Sequence, residues 1–488
     1  MTIFINAYRS FSMRYITATD IMQKLKNSGE SIVLFVKDDE VAHFRKIFSE
    51  PQINIEPVLY EESLHDIRKN IFIRSLNLIR ILTAGKNAST YNHTIDLRKT
   101  QYKSEFTTFK AKLVLLMIRI CSWFTCNSYF MRRTLISTMR LFLSGNLYDD
   151  YFHKYKPDLL LVSSLGYGID IAFMNSAARY GCKIISIPHS WDNSSTKGYR
   201  GCEPDRVITW NQNMTNEIEV FHDIAKTKIY TGGIAHWDVY RNDTSNFISR
   251  QDFFSKHSLS QNKKLLFYAM SGPRHFERRF DVIEGILKSI YNNNIDTQCQ
   301  LLVRFHPQHL QASEEGFYIP TQYQSYINKI KNNYGDLIQF WQPKPPHLNE
   351  ISSMELTDMY EMAEAIRYCD IVIQEYSTLI LETTIFDKPV INISMYNWEQ
   401  GLPSSTIEGF THLRHILSYK SVRTAKTFKE FTEIANQYLE HPELDSDSRT
   451  NLFANEISMN HGYAGANIGT YVVDYLNQLK HINTPRTY

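Results

Sequence analysis

Short, fully apolar runs alternate along this chain with segments in which apolar residues recur every three or four positions. Continuous apolar runs of this length are typical of strands that are buried on both faces of a parallel sheet. They predict strands at Ile3–Asn6, Ile32–Val36, Pro157–Ser164, Lys183–Ile187, Arg206–Trp210, Lys228–Thr231, Lys264–Ala269, Gln300–Phe305, Ile338–Trp341, Asp370–Ile373 and Pro389–Ile393. The amphipathic segments predict helices at Ala18–Asn27, Ile169–Tyr180, Met214–His222, Asp281–Tyr291, Met359–Tyr368, Thr378–Phe386, Phe428–Leu439 and Asn467–Leu479.

Two such alternating series are separated by the polar stretch 240–262. We therefore expect an α/β protein with two Rossmann-like, doubly wound parallel-sheet domains. The predicted boundaries are 1–240 with a helical insertion at about 68–145, a linker at 241–262, a second domain at 263–465, and a helix at 466–488 that crosses back to the first domain. Ligands of such folds bind at the carboxyl ends of the strands, so we expect a cleft between the two sheets to hold the site.

Composition excludes several classes of protein. The chain has 488 residues, of which 43% are hydrophobic and 21% are charged, enough apolar surface for packed cores. A net charge of +2 excludes a globally basic nucleic-acid-binding protein. The six cysteines have no zinc-site spacing, so we expect reduced thiols and a cytoplasmic protein. The first residues lack the apolar stretch of a signal peptide, and Arg119 interrupts the most apolar segment short of the ~20 residues that a membrane span needs.

Charge is concentrated between Arg68 and Arg140. This segment holds fourteen Lys and Arg residues against two acids, Asp96 and Glu105, a local charge of +12 that leaves −10 for the rest of the chain. The basic residues alternate with apolar ones, as in Phe72–Arg80, Lys110–Arg119 and Phe130–Arg133. This pattern predicts helices that lie on an anionic membrane surface. A core helix whose arginines reach solvent, or a groove for an acidic glycan, would have the same pattern.

In the first series, the strand Lys183–Ile187 runs into a loop rich in polar side chains. His189 and Asp192 are candidate general bases, and Lys197 is a cation that could offset developing negative charge. A polar loop that only caps a short helix would have a similar composition.

In the second series, candidate residues follow two strands. Arg304 ends one strand, and Pro307 forces His306 into an extended conformation at the strand tip. Ser377 and Thr378 begin a predicted helix, where free backbone N–H groups attract an anion. Glu382 follows Thr378 by one turn on the same face, where it could accept hydrogen bonds from ribose hydroxyls.

These motifs together carry a family resemblance over about residues 155–400. The combination resembles GT-B glycosyltransferases of bacterial surface-polysaccharide synthesis, and is similar to the CDP-glycerol glycerophosphotransferase group and to CMP-sugar transferases of sialyl and Kdo type. Three residues depart from the glycerophosphotransferase pattern, so the donor stays open among CMP-, CDP- and UDP-linked compounds: Ser190, Thr378 and Glu382. The residues that carry the resemblance are His189, Lys197, Arg206–Trp210, Tyr230–Gly233, His306–Pro307, Tyr376–Thr378, Glu382 and Pro389.

The resemblance implies a GT-B-like fold and a metal-independent enzyme without a cofactor, which transfers a sugar from a nucleotide-activated donor to a surface polysaccharide or lipid-linked glycan. Either His189 or Asp192 would deprotonate the acceptor, and Lys197 would stabilise the leaving group. The donor nucleotide would be held by His306, Arg304, Ser377, Thr378, Glu382 and Tyr376. The alternatives are a CDP-polyol phosphotransferase, a sugar-nucleotide 2-epimerase and a non-catalytic partner with the same fold. We expect a cytoplasmic protein, peripheral on the inner face of the cytoplasmic membrane.

Overall fold

The computed structural model describes residues 1–9, 12–68, 71–85, 106–143, 146–241, 246–272, 278–313, 316–342, 351–397 and 403–483. The chain divides into two compact units. Unit 1 comprises Met1–Asp238, Phe410–His412 and Glu456–Tyr488, and unit 2 comprises Val239–Gly409 and Leu413–Asn455.

Unit 1 is built on a seven-stranded parallel sheet in the order β3-β2-β1-β4-β5-β6-β7. The central strands are entirely buried because their side chains are apolar on both faces, as in the run Leu159–Val162. The strands are β1 Thr2–Asn6, β2 Ser31–Val36, β3 Ile53–Pro57, β4 Leu159–Val162, β5 Lys183–Ser186, β6 Arg206–Thr209 and β7 Ile229–Thr231.

Unit 2 contains a six-stranded parallel sheet in the order β12-β9-β8-β13-β14-β15, together with the antiparallel hairpin β10-β11. Apolar clusters cover the two faces of the sheet. The strands are β8 Lys264–Ala269, β9 Cys299–Arg304, β10 Gln311–Ser313, β11 Gly316–Tyr318, β12 Ile338–Trp341, β13 Ile371–Gln374, β14 Val390–Ile393 and β15 Arg423–Ala425. The predicted pair of doubly wound parallel sheets is confirmed.

Helices connect the parallel strands. The α-helices are Asp20–Asn27, Val41–Ile47, Tyr60–Arg68, Ile71–Ile81, Phe109–Asn127, Tyr129–Leu143, Asp149–Tyr155, Asp170–Arg179, Asn193–Thr196, Gln212–His222, Arg250–Lys256, Arg279–Tyr291, Thr321–Tyr334, Ile351–Tyr368, Leu379–Glu382, Thr411–Ser418, Phe428–Glu440, Ser446–Glu456 and Ala464–Asn483. Shorter turns are the π-helical Met13–Thr17 and the 3₁₀ segments Asp38–Glu40, Asn146–Tyr148, Lys226–Lys228, Ala235–Tyr240, Pro307–His309, Gly335–Leu337, Thr383–Phe386 and Ser404–Gly409.

Several segments differ from the sequence predictions, and four of them bear on the two sheets or the predicted site. The edge strands β3 and β15 escaped prediction because they are short and only partly buried, so they lack a continuous apolar run. Part of the predicted linker is folded, since helix Arg250–Lys256 buries Phe253 and Phe254 completely. The predicted helix Thr378–Phe386 is α-helical only over Leu379–Glu382 and continues as a 3₁₀ turn.

Each sheet has a topological switch point, where chain connections leave in opposite directions. It lies between β1 and β4 in unit 1 and between β8 and β13 in unit 2. Open α/β sheets bind ligands at the carboxyl ends of the strands beside such points. The loops after these strands are therefore where a ligand site is expected.

Among the described residues, no single helix is long and apolar enough to cross a membrane. Helices Phe109–Asn127 and Tyr129–Leu143 reach that length and composition only as a pair, and the pair is bent by 120°.

Candidate functional site

At the switch point of unit 1, a buried carboxylate organises two loops. The Asp170 carboxylate accepts hydrogen bonds from Asn6 Nδ2 at 2.9 Å and Ser164 Oγ at 2.6 Å, and Arg9 Nη2 lies 3.6 Å away. Burial raises the pKa of Asp170, although Arg9 and Ser164 act against the shift. Because its donors come from the ends of β1 and β4, Asp170 positions Arg9 at this edge. Arg9 was not among the predicted site residues, although it follows β1 by three positions.

His189, three residues beyond β5, is held in a defined tautomer. Its Nδ1–H donates to the Ser163 carbonyl oxygen at 2.8 Å, because a carbonyl oxygen can only accept. Burial lowers the pKa of His189 to about 4, and the hydrogen bond to Ser163 only partly offsets this effect. At neutral pH the ring is therefore uncharged, and Nε2 is the nitrogen that can accept a proton.

Asp192 shares the loop with His189 but has different electrostatics. Its carboxylate accepts hydrogen bonds from Ser190 Oγ and, at 2.7 Å, from Thr196 Oγ1, and Lys197 Nζ lies 3.6 Å from Oδ2. Burial acts to raise the pKa of Asp192, but Lys197, His412 and the two hydroxyls outweigh it and hold the pKa below its usual value. A carboxylate this weakly basic is a poor general base. Both oxygens of Asp192 also accept hydrogen bonds from hydroxyls, whereas the hydrogen bond of His189 to Ser163 uses Nδ1, so of the two predicted bases the geometry favours His189.

The position of Lys197 is set by the helix Ile71–Ile81. Arg80 Nη1 donates to the carbonyl oxygens of Lys197 and Tyr199, both at 2.8 Å. Between them, Gly198 has a φ of +74°, and a Cβ there would lie 2.4 Å from the Cα of Ile81. Only glycine fits this close approach. The basic segment therefore contributes Arg80 to the interior, where it anchors the Lys197 loop.

Two further histidines of unit 1 were missed by the sequence predictions. His236 follows β7 and packs against Tyr15 and Trp210 with tilted rings, whose centroids are 5.2 and 5.6 Å away. His412 lies 4.8 Å from the ring of Trp191, and burial lowers its pKa to about 4 despite the nearby Asp192. No local pattern marks His412, because its partners are far away along the sequence.

At the switch point of unit 2, Glu375 is the centre of a buried polar cluster. Its carboxylate accepts hydrogen bonds from Tyr268 OH at 2.8 Å and Ser271 Oγ at 2.5 Å, and Arg279 Nε lies 4.0 Å away. Glu375 was not among the predicted site residues, although it directly follows β13. This cluster joins the ends of β8 and β13.

His309 extends the cluster. Its Nε2–H donates to the Ser271 carbonyl oxygen at 3.0 Å, which leaves Nδ1 as the accepting nitrogen. Burial lowers the pKa of His309 to about 4, so the ring is neutral at pH 7. Nδ1 is buried, and no described residue donates a hydrogen bond to it. It therefore has capacity for a donor from a ligand or water. The predictions named its neighbour His306 instead.

The two predicted residues at the carboxyl end of β9, Arg304 and His306, have different environments. Arg304 is buried, and its Nη2 donates to both carboxylate oxygens of Asp358, at 2.7 and 2.8 Å, with the guanidinium over the ring of Trp341. This pairing engages the Arg304 guanidinium with Asp358, and the predicted role of Arg304 in holding the donor nucleotide stays a prediction. His306, two residues on, is half-buried beyond the strand end.

The predicted nucleotide motif after β13 is a tight turn. Tyr376 has a φ of +47°, which is strained for a residue with a Cβ, and its hydroxyl donates to Glu408 Oε1 at 2.6 Å. Ser377 Oγ accepts from the backbone N–H of Leu379 at 3.2 Å, whereas the side chain of the N-cap residue Thr378 makes no capping hydrogen bond. Glu382 Oε2 accepts from Tyr240 OH at 2.5 Å.

The structure thus brings the predicted residues together in three groups. His189, Asp192 and Lys197 share one loop of unit 1. Tyr376, Ser377 and Thr378 form one turn of unit 2, with Glu382 a helical turn further on. Arg304 and His306 form the third group, at the end of β9. Because β8 lies between β9 and β13, the end of β9 is roughly 10 Å from the end of β13, where the turn begins. The described residues contain no group of three His, Cys, Asp or Glu side chains that could hold a metal ion.

No protein-family model matches the sequence, and no curated protein sequence matches it. Among solved structures, UDP-GlcNAc 2-epimerase from Neisseria meningitidis bound to UDP-GlcNAc matches 98% of this chain and 100% of its own, with a TM-score of 0.50 and 10% identity. The MnaA–UDP co-structure from S. aureus matches 98% of this chain and 97% of its own, with a TM-score of 0.52 and 11% identity. At these identities the likeness concerns the fold alone, and it confirms the predicted GT-B-like fold.

The wall teichoic acid polymerase TagF, in a structure of a substituted form soaked with CDPG, also matches. The match covers 66% of this chain and 72% of that one, with a TM-score of 0.40 and 11% identity. A similarity of this size carries no argument about the present chain.

Proposed function

We propose that the protein is a metal-independent glycosyltransferase that moves a sugar from a nucleotide-activated donor to a bacterial surface polysaccharide or lipid-linked glycan. One observation carries the proposal: the His189 Nδ1–H donates to the Ser163 carbonyl oxygen, in surroundings where burial lowers the pKa of the ring to about 4. Nε2 is then the ring nitrogen that can take a proton, at the carboxyl edge of the unit 1 sheet where ligands of such folds bind.

The proposed reaction is a single displacement. His189 Nε2 takes the proton of an acceptor hydroxyl as the acceptor oxygen bonds to the anomeric carbon of the donor sugar. The bond from that carbon to the nucleotide phosphate breaks at the same time, so the anomeric centre inverts. The Lys197 ammonium, held beside Asp192, would offset the negative charge on the departing phosphate.

The nucleotide would bind at the carboxyl edge of the unit 2 sheet. The Ser377 and Thr378 hydroxyls lie on the turn after β13, and Glu382 lies one helical turn further on, where a carboxylate can accept ribose hydroxyls. His309 Nδ1 accepts no hydrogen bond from a described residue, so it could accept one from an N–H or O–H group of the ligand. That UDP and UDP-GlcNAc occupy the two solved structures of similar fold supports a nucleotide ligand.

A sugar-nucleotide 2-epimerase is the second candidate. It is favoured by the similarity of fold, because the epimerase from Neisseria meningitidis aligns over its whole length. A 2-epimerase needs no acceptor and must remove the hydrogen at C2 of the sugar. A transferase leaves that hydrogen in place and releases the nucleotide.

The first test is a thermal-shift screen of UDP, CMP, CDP and GDP, followed by incubation with the matching nucleotide sugar in D₂O. We expect stabilisation by one nucleotide and slow release of free nucleotide, with no deuterium at C2 of the sugar. Deuterium at C2 without nucleotide release would establish the epimerase instead.

The control is Ser377→Ala, which removes the hydroxyl on the turn after β13. We expect it to weaken nucleotide binding roughly tenfold, through loss of a hydrogen bond to a charged group. If none of the four nucleotides stabilises the wild-type protein, both candidate functions are wrong.

A lipid-linked acceptor would have to be met at a membrane surface. Among the described residues, the helices inserted between β3 and β4 carry the exposed apolar surface that could contact a membrane.

A further inference from the structure

The helix Phe109–Asn127 has an apolar face toward solvent. Its inward face packs through Leu115, Ile118, Ser122 and Thr125. A surface helix of a soluble protein is polar on the opposite side, but here that side repeats large apolar residues every three or four positions. The exposed residues are Phe109, Leu113, Leu116, Met117, Ile120, Trp123 and Phe124.

The exposed apolar surface continues onto two neighbouring helices. Phe72 of Ile71–Ile81 and Phe142 of Tyr129–Leu143 are in ring contact, with centroids 5.0 Å apart. Of the eighteen exposed large apolar side chains in the described residues, fourteen lie on these three helices, and Phe109, Phe130 and Leu141 are each more than 70% exposed. We name this surface the apolar helical face; it comprises the seven residues above with Ile71, Phe72, Tyr129, Phe130, Met131, Leu141 and Phe142.

Basic residues accompany the apolar helical face. Residues 106–143 contain six Lys and Arg and no acid. Of these, Lys110, Lys112, Arg133 and Arg140 are exposed. Arg132 is buried, with its Nε 2.6 Å from Asp223 Oδ2, so the predicted membrane contact through Arg132 is wrong. Other parts of the predicted basic segment, including Asp96 and Glu105, lie outside the described residues.

We propose that the apolar helical face inserts into the interfacial region of an anionic lipid bilayer. Exposed aromatic and aliphatic side chains next to Lys and Arg, without acids, are what an anionic interface binds. A second copy of the chain would bring two like-charged basic faces together, which is unfavourable. An acidic glycan would bind the Lys and Arg side chains but would leave the apolar side chains exposed to water. The proposal goes beyond the reaction and does not depend on it.

The test is flotation of the full chain with vesicles of phosphatidylcholine alone or mixed with phosphatidylglycerol, without nucleotide. We expect binding to the anionic vesicles that weakens as salt rises, and little binding to the neutral ones. The variant Trp123→Ser/Phe130→Ser/Leu141→Ser should lower the partition coefficient at least tenfold. The variant Lys112→Gln/Arg133→Gln/Arg140→Gln should lower it on anionic vesicles only.

A matched control changes exposed residues of unit 2 that lie outside this face, Tyr291→Ser and Lys429→Gln, and should leave binding unchanged. Brominated lipids should quench the wild-type fluorescence more than that of Trp123→Phe, because Trp123 would lie in the bilayer. The proposal is overturned if the wild-type protein ignores anionic vesicles at low salt, or if the apolar variant still binds them. It is also overturned if sedimentation shows self-association that the apolar variant abolishes, or if soluble acidic glycan competes fully with the vesicles.

Discussion

The carboxyl edges of the two sheets place polar groups in opposite ways. In unit 1, His189, Asp192 and Lys197 lie on a half-buried loop. In unit 2, Glu375 and His309 are almost fully buried, and they hold the strand ends through Ser271. A half-buried loop can exchange protons with a substrate, whereas a buried cluster keeps backbone turns in one arrangement. We therefore expect proton transfer at the first edge and a preorganising role for the polar groups at the second.

The largest expected effect comes from Glu375→Ala. This change leaves the buried Arg279 guanidinium without its carboxylate and Tyr268 OH without an acceptor. We expect a loss of about 3–5 kcal/mol in the free energy of unfolding of unit 2, as for other buried ion pairs from which one partner is removed. Chemical denaturation gives the size of the loss, and peptide-resolved hydrogen exchange shows in which unit it falls.

Asp192→Ala is the matched change in unit 1. Its partner Lys197 is partly exposed, so we expect a loss of about 1 kcal/mol or less. Equal losses in the two variants would contradict the contrast between the edges.

The second effect concerns turnover. His189→Gln keeps a donor for the Ser163 carbonyl but cannot accept a proton from the acceptor. We expect turnover to fall ~10²-fold or more, with nucleotide affinity unchanged. Asp192→Asn should cost less than tenfold, because its weakly basic carboxylate acts only on Lys197 and the loop.

Steady-state kinetics and calorimetry on the two variants separate turnover from binding. If Asp192→Asn is the more damaging change, the base is Asp192, and the preference for His189 is wrong.

The smallest effect is a dependence of stability on pH. The pKa of His309 is lowered to about 4 in the folded protein, against an ordinary value of about 6.5 in the unfolded chain. Its contribution is therefore fully present above pH 6.5 and is lost as the pH falls toward 4. Between pH 7 and pH 5 we expect a loss of about 2 kcal/mol from this residue.

Denaturation curves at several pH values measure this slope. His309→Gln should flatten it in unit 2, while the slope in unit 1, where burial also lowers the pKa of His189, should stay. If His309→Gln leaves the pH dependence of the stability of unit 2 unchanged, groups other than His309 cause its sensitivity to acid.

The position of strand-end loops was predictable because it follows from local pattern. A run such as Leu159–Val162 is apolar on both faces and can only be buried between layers of helices. Parallel strands end at one edge, so the hydrophobic pattern alone is enough to place His189 and Ser377 at carboxyl edges. The edge strand β3 alternates buried and exposed residues over a short span, and no sequence pattern distinguished it from a loop.

The sequence by itself determined the two sheets and the loops that carry the candidate site, since hydrophobic periodicity acts between near neighbours. Only the tertiary structure decided which polar groups meet. Ser271 reaches Glu375 across 104 positions, and Arg132 reaches Asp223 across 91. Tertiary packing also buried Arg80 and Arg132 and left the apolar helical face exposed to solvent. A helix with apolar residues on more than one side, such as Phe109–Asn127, has no local signal for its buried side, so the surface against which it packs decides which side is buried.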